Sequence, residues 1–330
     1  MRLIFLNERD YSLKKVYSDS LIKELEGYGF ENKTYKRSDL LSGDFSDVTC
    51  IFSTWGMPEL TKEEIKACLP SLKCVFYAAG SVQKFARPFL ECGVRVFSAF
   101  AANAVPVAQY VFAQVLLANK GFYTLCDKYY TKNKNEGREL LAACPGNFDT
   151  KVGIIGAGMI GSMVCKMLRD ADIGVLVFDP FMSDEKAKAL DVEKTDLQTL
   201  FESCFVVSNH LANNEQTKGM LGAALFEKMQ KNAVFINTGR GAQVKEDELI
   251  STLEKRPDLT AVLDVTDPEP PLYDSKLYTL KNCILTPHIA GSSGKEVYRM
   301  SEYMKNEFLL WKDGKDPNYE VTLSMLDTMA

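Results

Sequence analysis

The second half of the chain contains two histidines, one arginine and several acids whose side chains could act together in catalysis. His210 and His288 are the only histidines, and both follow predicted strands. Histidine is the side chain best able to exchange a proton near neutral pH. Arg240, in the segment NTGRG, lies between Gly239 and Gly241, and its planar fork of donors suits a carboxylate. These residue types indicate acid/base chemistry on a substrate that carries a carboxylate.

A carboxylate behind the imidazole would complete this set, and the loop LDVTDPEPP offers three candidates, Asp264, Asp267 and Glu269. Such an acid orients the ring and favours its charged form. The residue types leave the choice among the three open. With His288 and Arg240, the set would supply an acid/base, its orienting group and a carboxylate clamp for a 2-hydroxy acid. His210 has no evident acid partner, so we expect a structural role or a place at the edge of the cofactor.

The segment VGIIGAGMIGSMVCKMLRDADIGVLVFDP predicts a dinucleotide site. A strand leads into Gly156, Gly158 and Gly161, a helix follows, and a second strand ends on Asp179. The three glycines permit a tight turn, close approach of a pyrophosphate and close packing of helix on strand. The helix N-terminus favours phosphate, and the acid can accept the ribose hydroxyls. Because a carboxylate would repel a 2′-phosphate, the predicted cofactor is NAD and not NADP.

Length and composition favour a soluble enzyme of two domains. The chain has 330 residues, a length that exceeds the usual size of one hydrophobic core. Its 46% hydrophobic and 25% charged side chains are ordinary for a globular protein. The net charge of −5 and scattered basic residues argue against nucleic acid or a membrane as partner. The opening apolar run Leu3–Leu6 is followed by polar residues, so we expect neither a signal peptide nor a membrane span, and a cytoplasmic location.

Nine dispersed cysteines without a C-x-x-C pair predict reduced, mostly buried thiols and neither a disulfide framework nor a metal site. They are Cys50, Cys68, Cys74, Cys92, Cys126, Cys144, Cys165, Cys204 and Cys283.

Short β-branched runs alternate with helical patterns along the chain, which predicts parallel sheets covered by helices. The first hundred residues predict strands at 3–6, 49–53, 74–77 and 94–97 and helices at 14–26 and 62–68. A long helix is expected to begin after Asn103, with Pro106 in its first turn, and to stop at Gly121. The polar segment 128–149 is expected to be a loop or arm, or a solvated connection. Later strands are predicted at 152–155, 175–178, 205–208, 233–237, 260–264 and 284–286.

The glycine fingerprint with Asp179, then NTGRG, LDVTDPEPP and TPHIAG, in this order, resembles the D-isomer-specific 2-hydroxyacid dehydrogenases over the whole chain. The resemblance assigns the family's arginine to Arg240, its glutamate to Glu269 and its acid/base histidine to His288. By the same resemblance, Asp267 is not the orienting acid.

The resemblance also implies an α/β fold in which a Rossmann NAD-binding domain is inserted into a flavodoxin-like substrate domain. We expect the substrate domain at 1–101 and 295–330 and the NAD-binding domain at 102–294, with dimerisation through the latter and 120–148 as an arm. Expected cofactor contacts are Gly156, Gly158, Met159, Ile160, Gly161, Asp179, His210, Thr238 and Asp264. Expected substrate contacts are Trp55, Gly80, Ser81, Val82 and Arg240.

Departures from the family pattern leave the substrate open. The substrate-domain loop reads YAAGSVQKF, without the acid that many members carry, and Trp55 and Met57 either wall the pocket or pack the domain. A small 2-hydroxy or 2-oxo acid is the expected substrate. Lys84 and Arg87 are basic residues near this loop that could bind a phosphate group. The alternative enzyme is therefore a D-3-phosphoglycerate dehydrogenase. The alternative outside the enzymes is a binding protein, an NAD-sensing corepressor that binds partner peptides.

Overall fold

The computed structural model describes residues 1–130 and 134–327, and the chain forms two compact units. The first comprises Met1–Ala104 and Ser292–Ala330, and the second comprises Val105–Gly291. The second unit is therefore inserted in the sequence of the first.

The strands are β1 Arg2–Leu6, β2 Phe30–Tyr35, β3 Val48–Ser53, β4 Cys74–Tyr77, β5 Arg95–Ser98, β6 Lys151–Ile155, β7 Gly174–Phe178, β8 Glu193–Lys194, β9 Val206–Asn209, β10 Val234–Asn237, β11 Thr260–Leu263, β12 Cys283–Leu285 and β13 Glu320–Val321. The helices are α1 Ser12–Val16, α2 Asp19–Glu26, α3 Arg37–Ser42, α4 Lys62–Cys68, α5 Ala86–Glu91, α6 Phe100–Asn119, α7 Phe122–Tyr130, α8 Lys134–Ala143, α9 Met159–Arg169, α10 Asp184–Leu190, α11 Leu197–Ser203, α12 Ala223–Phe226, α13 Glu246–Lys255 and α14 Val297–Lys312.

The sheet of the first unit has the order β13-β5-β4-β3-β1-β2. Its strands are parallel except β13, which pairs antiparallel with β5. The order 2-1-3-4-5 of the five parallel strands is the flavodoxin-like arrangement. Phe52 and Phe76, both fully buried, stack across adjacent strands with ring centroids 5.1 Å apart. Buried side chains of these strands belong to two apolar clusters that form the core of this unit.

The sheet of the second unit has the order β12-β11-β10-β9-β6-β7-β8, and all its pairs are parallel. Counted from its first strand this is 3-2-1-4-5-6-7, the doubly wound Rossmann order. The strand order reverses between β6 and β9, which is where such sheets bind their ligands, beyond the carboxyl ends of the strands. The expected fold class is confirmed.

Three expectations for helices are wrong. α6 begins at Phe100, before the expected start, and Pro106 lies inside it. The buried alanines Ala101 and Ala102 favour the helix, which outweighs the hydrogen bond that the proline lacks. The expected helix at 14–26 is divided into α1 and α2, because Ser18 accepts a hydrogen bond from the Leu21 N–H and begins a new helix.

The polar segment 128–149, expected as a loop or arm, contains the end of α7 and all of α8. Good helix formers from Glu139 to Ala143 account for α8, and the run of charged and amide residues before them obscured it. Positions 131–133 of this segment lie outside the described residues.

By length and composition, α6 is apolar enough to cross a membrane. In the structure, its side chains Val107, Val111 and Val115 are buried in the core of the second unit, together with strand residues of that sheet. Core helices of soluble proteins have the same composition.

All nine cysteines are free thiols, as the sequence predicts. Only four of them are buried, and the other five are partly exposed, so the expectation that most are buried is wrong. Burial raises the pKa of Cys165 to about 12 and that of Cys204 to about 12, which leaves both thiols protonated and unreactive near neutral pH.

Candidate active site

Three neighbouring strands of the second unit position the predicted catalytic residues. Arg240 follows β10, Glu269 follows β11, and His288 follows β12. These strands are adjacent and parallel, so their carboxyl ends lie along one edge of the sheet. The three side chains therefore belong to one region, although 48 residues separate the first from the last.

His288 and Glu269 form a hydrogen-bonded pair. The Nδ1 atom of His288 lies 2.7 Å from Oε1 of Glu269, and both side chains are about half exposed, at 47% and 43%. With Nδ1 turned to the carboxylate, Nε2 is the atom that can exchange a proton with a ligand. His288 has a φ of +55°, in the left-handed region that non-glycine residues seldom adopt. Glu269, and not Asp267, is the acid in contact with the imidazole.

Arg240 is partly buried beside this pair. Burial lowers the pKa of its guanidinium, and the negative charge of Glu269 acts in the opposite direction. Nη1 donates to the Gly239 carbonyl at 2.7 Å, which leaves further donors of the fork for a ligand. A side chain at Gly241 would lie 2.0 Å from the Thr266 backbone, so this turn admits only glycine. The arrangement presents a guanidinium with reduced access to water near an acid/base pair.

A buried network of side-chain amides holds the Arg240 turn. Gln243 accepts from the Arg240 N–H at 3.0 Å and from Asn209 Nδ2 at 2.6 Å. Asn237 accepts from the Gly239 N–H and donates to the Arg240 carbonyl. Sequence reasoning missed these three amides. Their signal was the placement of Asn209 and Asn237 as the last residues of adjacent parallel strands, with Gln243 three residues after Arg240.

The glycine loop has the shape expected for a bound pyrophosphate. Gly156 has a φ of +85°, and a side chain at Gly161 would lie 2.0 Å from the Gly156 carbonyl oxygen. A side chain at Gly158 would meet no atom within 4 Å, so the space above this residue is open. Met159, Ile160 and Gly161 form the first turn of α9, where backbone N–H groups are available to an anion. These residues fit the diphosphate of NAD.

Asp179 stands at the end of β7 beside this loop. Its two oxygens accept hydrogen bonds from the backbone N–H groups of Ala157, at 2.8 Å, and Phe181, at 2.9 Å. A carboxylate has about four acceptor sites, so these bonds leave capacity for the two hydroxyls of a ribose. The negative charge at this position disfavours a 2′-phosphate.

His210 is buried and hydrogen-bonded to two hydroxyls. Nε2 lies 3.0 Å from Ser208 Oγ, and Nδ1 lies 3.5 Å from Thr238 Oγ1, which is also buried. Burial lowers the pKa of His210 to about 3. The ring is therefore neutral near pH 7. Its two hydrogen bonds link Ser208 in β9 to Thr238, the residue after β10.

This burial predicts a pH effect on stability. In the unfolded chain an imidazole takes up a proton below about pH 6.5, whereas folded His210 stays neutral down to about pH 3. Stability is therefore lost as the pH falls below about 6.5, by up to about 1.4 kcal/mol per pH unit. Urea unfolding at pH 7.5 and 5.5 should show this loss in the unmodified protein and in His288→Gln, but less of it in His210→Gln. Equal pH dependence in all three proteins would contradict it.

Asp264, an expected cofactor contact, is buried at 2% exposure and accepts hydrogen bonds from the turn that carries His288. The expected substrate residues other than Arg240 lie in the first unit. Val82 is buried in its core, and Gly80 accepts a hydrogen bond from Ser98 at 2.6 Å, while Ser81 is exposed. Trp55 packs, partly buried, against apolar clusters of that unit, as does Met57.

Within the described residues, no group of three or more His, Cys, Asp or Glu side chains is placed to hold a metal ion.

Residues 113–290 match the family model described as "D-isomer specific 2-hydroxyacid dehydrogenase, NAD binding domain". Among curated proteins, the chain is 32% identical over 202 residues to D-3-phosphoglycerate dehydrogenase of Archaeoglobus fulgidus, covering 61% of this chain and 38% of that protein. It is 30% identical over 234 residues to the putative 2-hydroxyacid dehydrogenase YoaD of Bacillus subtilis, covering 69% and 67%. The chain thus spans little more than a third of the first relative and two thirds of the second.

Among solved structures, the fold is similar to the NAD-complexed form of a D-isomer specific 2-hydroxyacid dehydrogenase from Lactobacillus delbrueckii ssp. bulgaricus. The TM-score is 0.77 at 18% identity, with 98% of this chain and 100% of that chain covered. At this identity the likeness concerns the fold.

Proposed function

We propose a function from the premise that the chain belongs to the D-isomer-specific 2-hydroxyacid dehydrogenases, with an NAD-binding domain of that family at 113–290. The protein is an oxidoreductase that interconverts a small D-2-hydroxy acid and its 2-oxo acid with NAD(H). The observation that carries this proposal is the 2.7 Å contact between His288 and Glu269, in the same unit as the partly buried Arg240.

In the direction of reduction, NADH supplies the hydride for C2 of the oxo acid. Arg240 binds the substrate carboxylate and polarises the C2 carbonyl with its fork of donors. Protonated His288 gives its Nε2 proton to the carbonyl oxygen as the alcohol forms. Glu269, on Nδ1, holds the ring and stabilises its charged form. In the reverse direction, neutral His288 removes the hydroxyl proton.

In the substrate domain, Gly80, Ser81 and Val82 offer backbone N–H groups to the substrate carboxylate, and Trp55 borders the side-chain pocket.

The experiment that tests the function is a screen of glyoxylate, hydroxypyruvate, pyruvate and longer 2-oxo acids, followed by NADH absorbance. No turnover of any of them would contradict it. 3-Phosphohydroxypyruvate belongs in the screen, because similarity to a phosphoglycerate dehydrogenase favours that second candidate.

We also propose that the protein is a homodimer in the cytoplasm. The arm formed by α7 and α8 leaves Phe122, Tyr129 and Leu141 exposed. A groove of about 350 Å³ next to it is lined by Leu117, Lys120, Phe122, Leu125, Cys126 and Tyr129. An apolar surface of this kind supports pairing with a second copy, which sedimentation equilibrium would detect as twice the mass of 36.9 kDa. Nine free thiols support a reducing compartment.

A preference for NAD(H) over NADP(H) follows from Asp179. We expect kcat/KM to favour NADH by about a hundredfold, because a carboxylate close to a 2′-phosphate costs several kcal/mol. Asp179→Ala should reduce this ratio mainly by losing efficiency with NADH. The control is Asp184→Ala, which removes an exposed acid five residues away and should leave the ratio unchanged. Equal efficiency with both cofactors in the unmodified protein would contradict the prediction.

A further inference from the structure

The turn that carries His288 is held on both sides by one helix, α6. Asn103 and Tyr110 are seven residues apart on this helix, about two turns, so they lie on one face. The Tyr110 hydroxyl is 3.2 Å from Thr286 Oγ1, two residues before His288. Asn103 Oδ1 accepts from the backbone N–H of Ser292 at 3.0 Å, four residues after His288. One face of α6 thus contacts the chain before and after the imidazole.

The carboxylate of Asp264 organises the turn itself. Oδ1 accepts from the Thr286 hydroxyl at 2.6 Å and from the Ile289 N–H at 2.8 Å, and Oδ2 accepts from the Ala290 N–H at 2.9 Å. The backbone carbonyl of Asp264 also accepts from the His288 N–H at 3.1 Å. A carboxylate buried at 2% exposure depends on such donors.

The direction of the hydrogen bond from Tyr110 follows from a count of protons. The Thr286 hydroxyl has one proton, and it donates that proton to Asp264. Thr286 Oγ1 is therefore the acceptor in its contact with Tyr110, whose hydroxyl must donate. Donation by one hydroxyl to a second strengthens the bond that the second one donates. The tyrosine thus reinforces the hydroxyl that holds Asp264 in place.

The backbone conformation at His288 makes the turn dependent on these hydrogen bonds. A φ of +55° is unfavourable for a residue with a side chain and persists only where its surroundings impose it. The bonds from Ile289 and Ala290 to Asp264 fix the two residues that follow His288. Loss of these bonds would let the turn relax and move the imidazole away from Glu269.

We propose that Tyr110 is a positioning residue for proton transfer at His288, acting through Thr286 and Asp264. The proposal rests on the proposed function, because it takes His288 as the proton donor. The hydroxyl of Tyr110 bonds to Thr286, and the imidazole bonds to Glu269. Its hydroxyl sets the geometry of the turn, and its effect belongs to the proton-transfer step and not to cofactor binding.

The test compares four variants in the full chain by kcat and KM with NADH and the best 2-oxo acid. Tyr110→Phe should lower kcat about fivefold, as expected for one hydrogen bond, with KM for NADH unchanged. Thr286→Val should lower kcat by about 10- to 100-fold, because it removes the shortest of the three side-chain hydrogen bonds to a buried carboxylate. Thr286→Ser keeps the hydroxyl and should restore kcat to near the unmodified value. The double variant Tyr110→Phe/Thr286→Val should be no slower than Thr286→Val.

The matched control is Tyr123→Phe. Tyr123 also packs on the core of the second unit, but its hydroxyl bonds to Gln114 of α6 and is not connected to Asp264. Its loss should leave kcat unchanged. The proposal is overturned if Tyr110→Phe has unmodified kcat, or if its effect persists in full on the Thr286→Val background.

A second measurement does not depend on turnover. Hydrogen exchange of the Ile289 and Ala290 amides reports directly on their bonds to Asp264, and it should accelerate in Tyr110→Phe and Thr286→Val but not in Tyr123→Phe. If the unmodified protein reduces no oxo acid, the proposed function fails while the exchange result still decides whether Tyr110 positions the turn. Unchanged exchange in Tyr110→Phe would overturn the positioning role even in an active enzyme.

Discussion

Replacement of His288 by glutamine is expected to lower kcat/KM for 2-oxo acid reduction by about three orders of magnitude, which is within the range for loss of a general acid. Glutamine preserves the approximate shape and can hydrogen-bond, but it cannot transfer a proton near neutral pH. Oxidation of the hydroxy acid should fall by a similar factor, because the same nitrogen receives the proton. Steady-state rates in both directions, with NADH binding as a check on folding, measure this.

His210→Gln is the matched control for this loss. It changes the only other histidine of the chain, which is buried and bonded to Ser208 and Thr238. It should retain most of the activity, since a ring whose pKa is lowered to about 3 exchanges no proton near neutral pH. If His210→Gln were the inactive variant and His288→Gln the active one, the assignment of the acid/base would be wrong.

The acid partner of His288 should be visible in the rate of reduction. Glu269→Gln removes the negative charge 2.7 Å from Nδ1, which holds the ring and stabilises its proton-donating form. kcat/KM for reduction of the oxo acid should therefore fall, with part of the activity kept because glutamine can still hydrogen-bond to the ring. Asp267→Asn, which changes a nearby acid of the same loop, should leave kcat/KM unchanged, and the opposite result would exchange the roles of the two acids.

Replacement of Arg240 by lysine is expected to lower kcat/KM by about 10²- to 10³-fold, the cost of losing one preorganised donor to the developing oxyanion. Lysine keeps the charge, but a single ammonium cannot make paired bonds to a carboxylate and also polarise the adjacent carbonyl. Burial already lowers the pKa of Arg240, and a lysine in the same place would lose its proton more readily than arginine. Both kcat and the KM for the oxo acid should change.

NADH binding measured by fluorescence should remain nearly unchanged in Arg240→Lys, because the residue acts on the substrate. Arg256→Lys is the matched control in the same unit, since the Arg256 side chain is 28% exposed and pairs with Asp258 at 2.7 Å. It should keep normal turnover. Full activity of Arg240→Lys would mean that Arg240 serves only to stabilise its own turn.

Local patterns in the sequence determined much of the fold. β-Branched runs predicted β4 with its bounds and most other parallel strands to within about two residues, because buried parallel strands are nearly continuous apolar segments. The spacing of Gly156, Gly158 and Gly161 predicted the turn before α9, since the positive φ of Gly156 and the close approach at Gly161 restrict these two positions to glycine. Gly158 leaves open space above the loop. The polar edge strands β2 and β8 were missed, because Phe30 is the one buried residue of β2 and both residues of β8 are exposed, so neither strand has an apolar pattern.

The residue types and the family resemblance also selected Arg240, Glu269 and His288 as the candidate site. Residue types alone left Asp264, Asp267 and Glu269 open as partners of the histidine. In the structure these acids are separated by their surroundings: Glu269 contacts the imidazole, while Asp264 is buried beneath the turn and binds its backbone. A loop sequence does not encode these distances, because they depend on how β11 and β12 lie beside each other.

The supports of the site were decided only by tertiary structure. Asn209, Asn237 and Gln243 meet around the Arg240 turn, and Tyr110 meets Thr286 from a position 176 residues away in the chain. Such contacts leave no periodic signal, since each partner is a single polar residue whose burial and direction depend on long-range packing. The sequence by itself therefore determined which side chains could do the chemistry and in which kind of sheet they stand, and packing between distant segments decided which hydrogen bonds hold them in position.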